Sequence, residues 1–197
     1  MSAPALKLLV ASALLLAGCA TPPPNSYPAP PQDRFWTALQ QLCGQAFAGE
    51  LVQGSPTDTA FAGKTLVMHV RQCSEREVRI PFHAGENRSR TWILTRTASG
   101  LRLKHDHRHR DGSEDEITQY GGDTRDAGSS TRQEFYADPF TAELLPAART
   151  NIWTVEVRPG ESFGYALRRE GTERRFRVRF DFNQAVAPPP APWGYTD

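Results

Sequence analysis

Three of the chain's five histidines fall within ten residues, Leu101-Arg102-Leu103-Lys104-His105-Asp106-His107-Arg108-His109-Arg110. Successive side chains of a β-strand point to opposite faces. If this segment is a strand, Leu101, Leu103, His105, His107 and His109 share one face. Arg102, Lys104, Asp106, Arg108 and Arg110 share the other. The face that begins apolar therefore continues as imidazole. Same-face neighbours stand about 7 Å apart along a strand, so two imidazoles can approach one ion if an adjoining strand supplies a third donor. His69 and His83 are the remaining histidines and the candidates for that role. Neutral imidazole suits zinc, copper or nickel, and the set reads as a transition-metal site, zinc or copper, with His105 and His107 as first ligands. The same five histidines without a metal read as the lining of a small-ligand pocket in a barrel mouth. A third reading needs no ligand: half-exposed histidines beside a charged turn.

Other chemistries fail on spacing. Asp111-Gly112-Ser113-Glu114-Asp115-Glu116 places oxygen donors at alternate positions like a calcium loop, but Glu116 stands where that loop needs glycine. Gly63-Lys64-Thr65 ends like a phosphate-binding loop, but Asp58 stands where the first glycine belongs. No Gly-x-Ser-x-Gly elbow occurs, and no carboxylate spacing singles out a glycosidase pair. No catalytic residue is assigned.

The elements that would carry these side chains are mostly strands. Asp33 to Ala48 reads as one helix. Asp33 is its N-cap, Phe35, Leu39, Leu42 and Ala46 form its apolar face, and Gly49 ends it. The period then changes to two. Residues 64–73, 77–83, 91–97, 101–109, 116–120, 131–136, 152–158, 163–169 and 174–182 read as strands. Turn signals such as Ala98-Ser99-Gly100, Gly121-Gly122-Asp123 and Pro159-Gly160 separate them. In Arg174–Phe182 the even positions 176–182 are apolar and the odd ones carry arginine or aspartate. The fold class expected is mainly β: an antiparallel up-and-down barrel or sandwich of about 8–10 strands with one N-terminal helix. That order of elements is similar, in architecture only, to the small-ligand barrels of the lipocalin and fatty-acid-binding type.

Leu16-Ala17-Gly18-Cys19 follows an apolar run, Leu8 to Leu16, and a single cation, Lys7. The segment resembles the lipobox of bacterial lipoproteins. The resemblance implies a signal peptide over residues 1–18, acylation of Cys19 and anchoring in a membrane. Ala20, rather than aspartate, follows the cysteine, which by analogy directs a Gram-negative lipoprotein to the outer membrane, facing the periplasm. A membrane-spanning helix needs about 20 apolar residues, and this run is shorter. Residues 19–32 then form a lipidated cysteine and a proline-rich linker holding six prolines, a semi-rigid spacer. Residues 33–186 form the β-rich domain, and residues 187–197 a proline-rich disordered tail.

That resemblance organises the composition. Without residues 1–18 the chain has 179 residues, which suits one domain. Without Lys7 it carries 22 basic and 22 acidic side chains. A neutral balance argues against nucleic acid and against a polybasic membrane patch, so membrane attachment falls to the lipid. The three cysteines become one lipid site and one pair, and Cys43 with Cys73 is expected as a disulfide in an oxidising periplasm. The functional expectation is a non-enzymatic envelope protein that binds a small polar ligand, a metal or an envelope protein partner. The alternatives are a metal-dependent envelope hydrolase built on His105, His107 and His109, and a structural accessory lipoprotein.

Overall fold

The two edges of the sheet meet, and that closes it into a barrel. In a computed structural model residues 29–55 and 58–196 are described. The lipobox, Cys19 and the start of the linker lie outside them. The chain runs α1 (Pro31–Gln40), β1 (Ala46–Gln53), β2 (Leu66–His69), β3 (Gln72–Cys73), β4 (Glu77–Ala84), β5 (Asn87–Thr97), β6 (Gly100–His107), β7 (Tyr120–Asp123) and β8 (Arg132–Ala137). It continues through α2 (Pro139–Leu144), a 3-10 turn (Pro146–Ala148), β9 (Asn151–Arg158), β10 (Ser162–Arg169) and β11 (Arg175–Val186). Each strand from β4 to β11 pairs antiparallel with the next, β11 pairs with β1, β1 with β2, and β2 with β4. The result is a closed ten-stranded antiparallel barrel, so the sandwich alternative is excluded. The extra strand β3 lies along the same edge of β4 as β2. Register slips by one residue between Met68↔Phe82 and Gln72↔Arg79, as at a β-bulge.

Alternation places one apolar row of each strand inside. Phe176, Val178 and Phe180 of β11, Trp153, Val155 and Val157 of β9, and Leu101 and Leu103 of β6 all belong to one buried cluster. The odd positions Arg177 and Arg179 of β11 turn outward and meet Glu156 and Glu161. One end of the barrel is plugged. Phe35, Trp36 and Leu39 of α1 are fully buried there, each worth about 1.5–3 kcal/mol of burial. The Cys43–Cys73 disulfide ties the turn after α1 to β3.

Several sequence expectations need correction. The helix starts at Pro31, two residues before Asp33, and stops at Gln40; no side chain caps its N-terminus. Cys43 lies in the turn beyond it, where Gly44 adopts a positive φ of 81°. Ala46 to Gln53, partly assigned to the helix, is β1. Gly49 is not a helix stop: a Cβ there would lie 2.4 Å from the Phe180 ring, so β1 passes that ring only as glycine. The Gly121-Gly122 pair is strand β7, not a turn. A Cβ at Gly122 would sit 1.7 Å from the Tyr136 carbonyl oxygen, and one at Gly121 2.0 Å from that of Leu103. Residues 138–148, given no element from sequence, form α2 and the 3-10 turn.

The tail is a further correction, because it is held rather than disordered through Thr196. The Trp193 amide donates to the Arg88 carbonyl, and the Tyr195 hydroxyl donates to Asp106 at 2.9 Å. Arg79 donates to the Tyr195 oxygen at 2.8 Å, and Ala191 is buried. The segment runs along the outer face of β4, β5 and β6.

Candidate functional site

The end opposite α1 is open, and a cavity of about 350 Å³ occupies it. The strands that line it carry the same inward rows that make the dry core, continued toward the mouth. On β6 the row reads Leu101, Leu103, His105, His107; on β5 it reads Leu94, Trp92, Arg90. On β9 it reads Val157, Val155, Trp153, Asn151, and on β10 Phe163, Tyr165, Leu167, Arg169. On β11 the row Phe180, Val178, Phe176 leads to Arg174 at the strand's entry. Across all five strands an apolar row ends in a polar or cationic side chain at the same end of the barrel.

Loop segments complete the rim. Asp138 caps α2, its carboxylate accepting from the Thr141 amide at 2.8 Å, and Pro139 follows at the first helical position. Lys104 donates to the same carboxylate at 2.5 Å. The Thr141 hydroxyl donates to the Gly121 carbonyl at 2.7 Å and accepts from the Gly121 amide at 2.7 Å. These bonds fix α2 against β7 and bring Leu145, Ala147 and Ala148 to the mouth.

The aromatic wall is a run of stacked rings. Phe61 stacks on Phe82 at 5.4 Å, Phe82 on Trp92 at 4.7 Å, and Trp92 on Tyr165 at 4.4 Å between centroids. His105 stacks on Tyr120 at 4.4 Å. Its two nitrogens are both engaged. The Tyr120 carbonyl can only accept, so Nδ1 carries the proton and donates to it at 3.0 Å. Nε2 then accepts from the Tyr165 hydroxyl at 2.7 Å. Burial pushes the His105 pKa down to about 3, partly opposed by that carbonyl bond. His107 faces the same cavity, and its Nε2 lies 3.2 Å from the Tyr120 hydroxyl. Burial, with Arg90 nearby, pushes it down to about 4. Burial also raises the Tyr120 phenol to about 12 and that of Tyr165 well above its ordinary value. At neutral pH the mouth thus presents neutral imidazoles and neutral phenols.

The cations are unevenly paired. Arg174 is held by the buried Asp58 through two bonds, at 2.7 and 2.6 Å. Arg169 donates to the Asn151 side-chain oxygen at 2.8 Å. Arg90 lies over the Phe61 ring, 5.0 Å from its centroid, and donates to Asn87 Oδ1 and Ser89 Oγ. Its charge is met at that distance by neutral groups only. No carboxylate lines the cavity among the described residues.

The five histidines do not converge. His105 and His107 share the cavity. Strand β6 ends at His107, so the shared face predicted through His109 breaks there: Arg108 bridges to Glu114, and His109 is exposed, 3.8 Å from Glu116. His69 and His83 sit on the outer face of β2 and β4, opposite in direction to Met68 and Phe82 of the core. Both are buried; burial pushes His83 down to about 4 and also lowers His69. Neither can complete a ligand set with His105. Among the described residues no group of three or more histidine, cysteine, aspartate or glutamate side chains is placed to hold a metal ion. In the acidic loop, Asp111 accepts from Ser113 and Asp115 from the Ile117 amide, and Glu114 pairs with Arg108.

Sequence reasoning found His105 and His107 but missed Arg90, Asn151, Arg169, Arg174 and the ring stack. The signal available was the switch from apolar to polar along each alternating row. Only on β6 does that switch fall on clustered histidines, which stand out in the sequence. No protein-family model, curated protein or solved structure matches the chain, so the site's meaning rests on its own geometry.

Proposed function

We propose that this protein is a small-molecule binder of the bacterial cell envelope, tethered by lipid at Cys19 and working without catalysis. One observation carries the reading: a plugged barrel that opens at one end into a cavity of about 350 Å³ walled by aromatic rings and ended by arginines. Ligand sites are concave, mostly apolar and fitted with a few fixed polar groups, and barrel mouths are a common place for them. At His105, binding is favoured over hydrolysis by the state of the imidazole. A general base needs a free nitrogen facing the substrate, whereas both nitrogens of His105 are committed to Tyr120 and Tyr165.

The tether fits the same reading. The described chain begins at Ala29, whose carbonyl accepts from Arg34 of α1, on the plugged side. Ala29, the first described residue of the linker, thus lies at the end away from the mouth. Acylation is tested by mass spectrometry of the N-terminal peptide from envelope-expressed protein. A diacylglyceryl mass on Cys19, lost in Cys19→Ala, is the expected result; an unmodified thiol refutes it. Pocket binding is tested with N-phenyl-1-naphthylamine, a neutral fluorophore. Fluorescence should rise and saturate, and Ala147→Trp, at an exposed rim position, should weaken it. No saturable signal, or one indifferent to Ala147→Trp, would refute the pocket.

A further inference from the structure

The mouth cavity has a chemical bias beyond its shape. A pocket of this depth, lined by rings and aliphatic side chains, would be expected to neutralise any charge it carries, because a desolvated cation without an anion is costly. Arg174 obeys that expectation through Asp58. Arg90 does not. Its hydrogen bonds go to the neutral oxygens of Asn87 and Ser89, and the carboxylate that acts on it electrostatically, Asp115, makes no ion pair with it and does not line the cavity. Arg169 is in a similar position, with Asn151 as its side-chain partner. The cavity therefore holds one balanced arginine and two whose charge is met by neutral acceptors. The neutral His107 beside them adds no negative charge.

The shape of the apolar part narrows the class further. Four rings, Phe61, Phe82, Trp92 and Tyr165, run as one stack. Rings stacked at these centroid distances cover much of one another's faces and leave their edges to the cavity, and a flat aromatic or apolar body meets ring edges favourably with its own face. A cavity of about 350 Å³ is at the small end of ligand pockets. Arg90 belongs to both features, since its guanidinium lies over the Phe61 ring at the end of that stack.

We infer that the mouth binds a compact organic anion: a flat, apolar body lying against the ring stack, with a carboxylate, sulfonate or phosphate group received by Arg90 and assisted by Arg169. This rests on the reading of the mouth as a ligand pocket. Arginine is suited to the role because its planar donors match an oxyanion bidentately. On binding, the anion supplies the charge that the pocket walls lack.

The test compares two fluorophores of nearly one shape on the full chain purified in detergent. 8-Anilino-1-naphthalenesulfonate carries a sulfonate; N-phenyl-1-naphthylamine does not. The anionic probe should bind at least about tenfold more tightly, the usual worth of a charge-assisted hydrogen bond. Arg90→Gln should remove that preference, weakening the sulfonate about tenfold while changing the neutral probe less than about twofold, and Arg90→Lys should restore part of it. Sodium sulfate should fail to displace the probe beyond what sodium chloride of equal ionic strength does. Displacement by sulfate would reassign the site to free inorganic oxyanions and overturn the organic body. Equal affinity of the two probes, or an equal loss of both in Arg90→Gln, would overturn the anion while leaving the pocket standing. Binding of neither probe would remove the pocket reading and this inference together.

Discussion

The two ends of the barrel are built from the same strands and obey opposite rules. At the α1 end the inward rows are Leu94, Leu101, Leu103, Val157 and Phe180, closed by Phe35, Trp36 and Leu39. At the mouth, a few residues along, those rows become Arg90, His105, Asn151, Arg169 and Arg174. The strand register that satisfies one end fixes the other, because a one-residue slip would turn every inward side chain out. The dry end supplies the burial energy, and the mouth uses the rigidity so obtained to hold polar groups that no stability argument requires. The ends also differ in how their polar atoms are met. His105, between the two, has both nitrogens bonded, whereas the Trp36 indole nitrogen in the plug has no partner and rests under the Arg96 guanidinium. The plug tolerates an unmet donor for the sake of packing.

The comparison breaks most visibly at the plug. Trp36→Ala should destabilise the fold by about 3–5 kcal/mol, the range for deleting a buried tryptophan, read from denaturant midpoints. Probe affinity measured on the folded fraction should not change. A loss of affinity equal to the loss of stability would show that the ends are not separable. Reducing the Cys43–Cys73 bond, or Cys43→Ser with Cys73→Ser, should cost slightly less. A loop with a sequence separation of 30 gives about 3.5 kcal/mol in the chain-entropy treatment. The shift should again spare the mouth.

What the sequence made legible follows the same divide. Strand alternation announced an antiparallel barrel or sandwich, and the pairing of β2 with β4, invisible in the sequence, decided for the barrel. Alternation failed where two periods agreed. Ala46 and Phe47 fit a continuing helix as well as a strand, and only pairing with β2 and β11 makes them β1. It failed again where glycine stands for closeness rather than turning, at Gly49, Gly121 and Gly122. At the mouth, His105 and His107 were visible because they extend an apolar row on one strand. Their relation to Tyr165, 60 residues away, and to Arg90 was not, since closure of the barrel creates it. The charge balance of Arg90 was equally hidden. Which arginine finds a carboxylate depends on Asp58 reaching Arg174 across a sequence separation of 116.

Acid should sharpen the contrast next. The pKa values of His105 and His107 at the mouth, and of His69 and His83 on the outer wall, all lie below the ordinary value of 6.5 in the fold. The folded state therefore favours their neutral forms. Above pH 6.5 both folded and unfolded chains hold them neutral, and stability is whole. As pH falls below 6.5 the unfolded chain takes up protons first, and each histidine then removes up to about 1.4 kcal/mol of stability per pH unit until its folded pKa is approached. The paired carboxylates, Asp58, Glu134 and Asp138, work in a lower window, since their values are depressed from 3.8 or 4.5. Denaturant midpoints between pH 6.5 and 5 thus report histidines. His105→Gln should flatten that slope, and an unchanged slope would assign the loss elsewhere.

The smallest effect is the most discriminating, and it lies within the mouth itself. Arg174 and Arg90 line one cavity, but only Arg174 is balanced. Arg174→Met strands the Asp58 carboxylate, which is 7% exposed, and should cost about 1–3 kcal/mol, the usual penalty for a buried acceptor left unmet. Arg90→Met strands only the Asn87 and Ser89 oxygens, which retain each other through the Ser89 hydroxyl donating to Asn87 Oδ1 at 2.6 Å. It keeps an aliphatic contact with Phe61 and removes a desolvated charge, so stability should stay within about 0.5 kcal/mol of the parent or rise. Denaturant midpoints of the two variants decide the matter. If Arg90→Met costs as much as Arg174→Met, Arg90 has a structural partner and its charge is not held in reserve. If it costs nothing, the fold keeps Arg90 at the mouth without needing it, which is what a residue retained for binding requires.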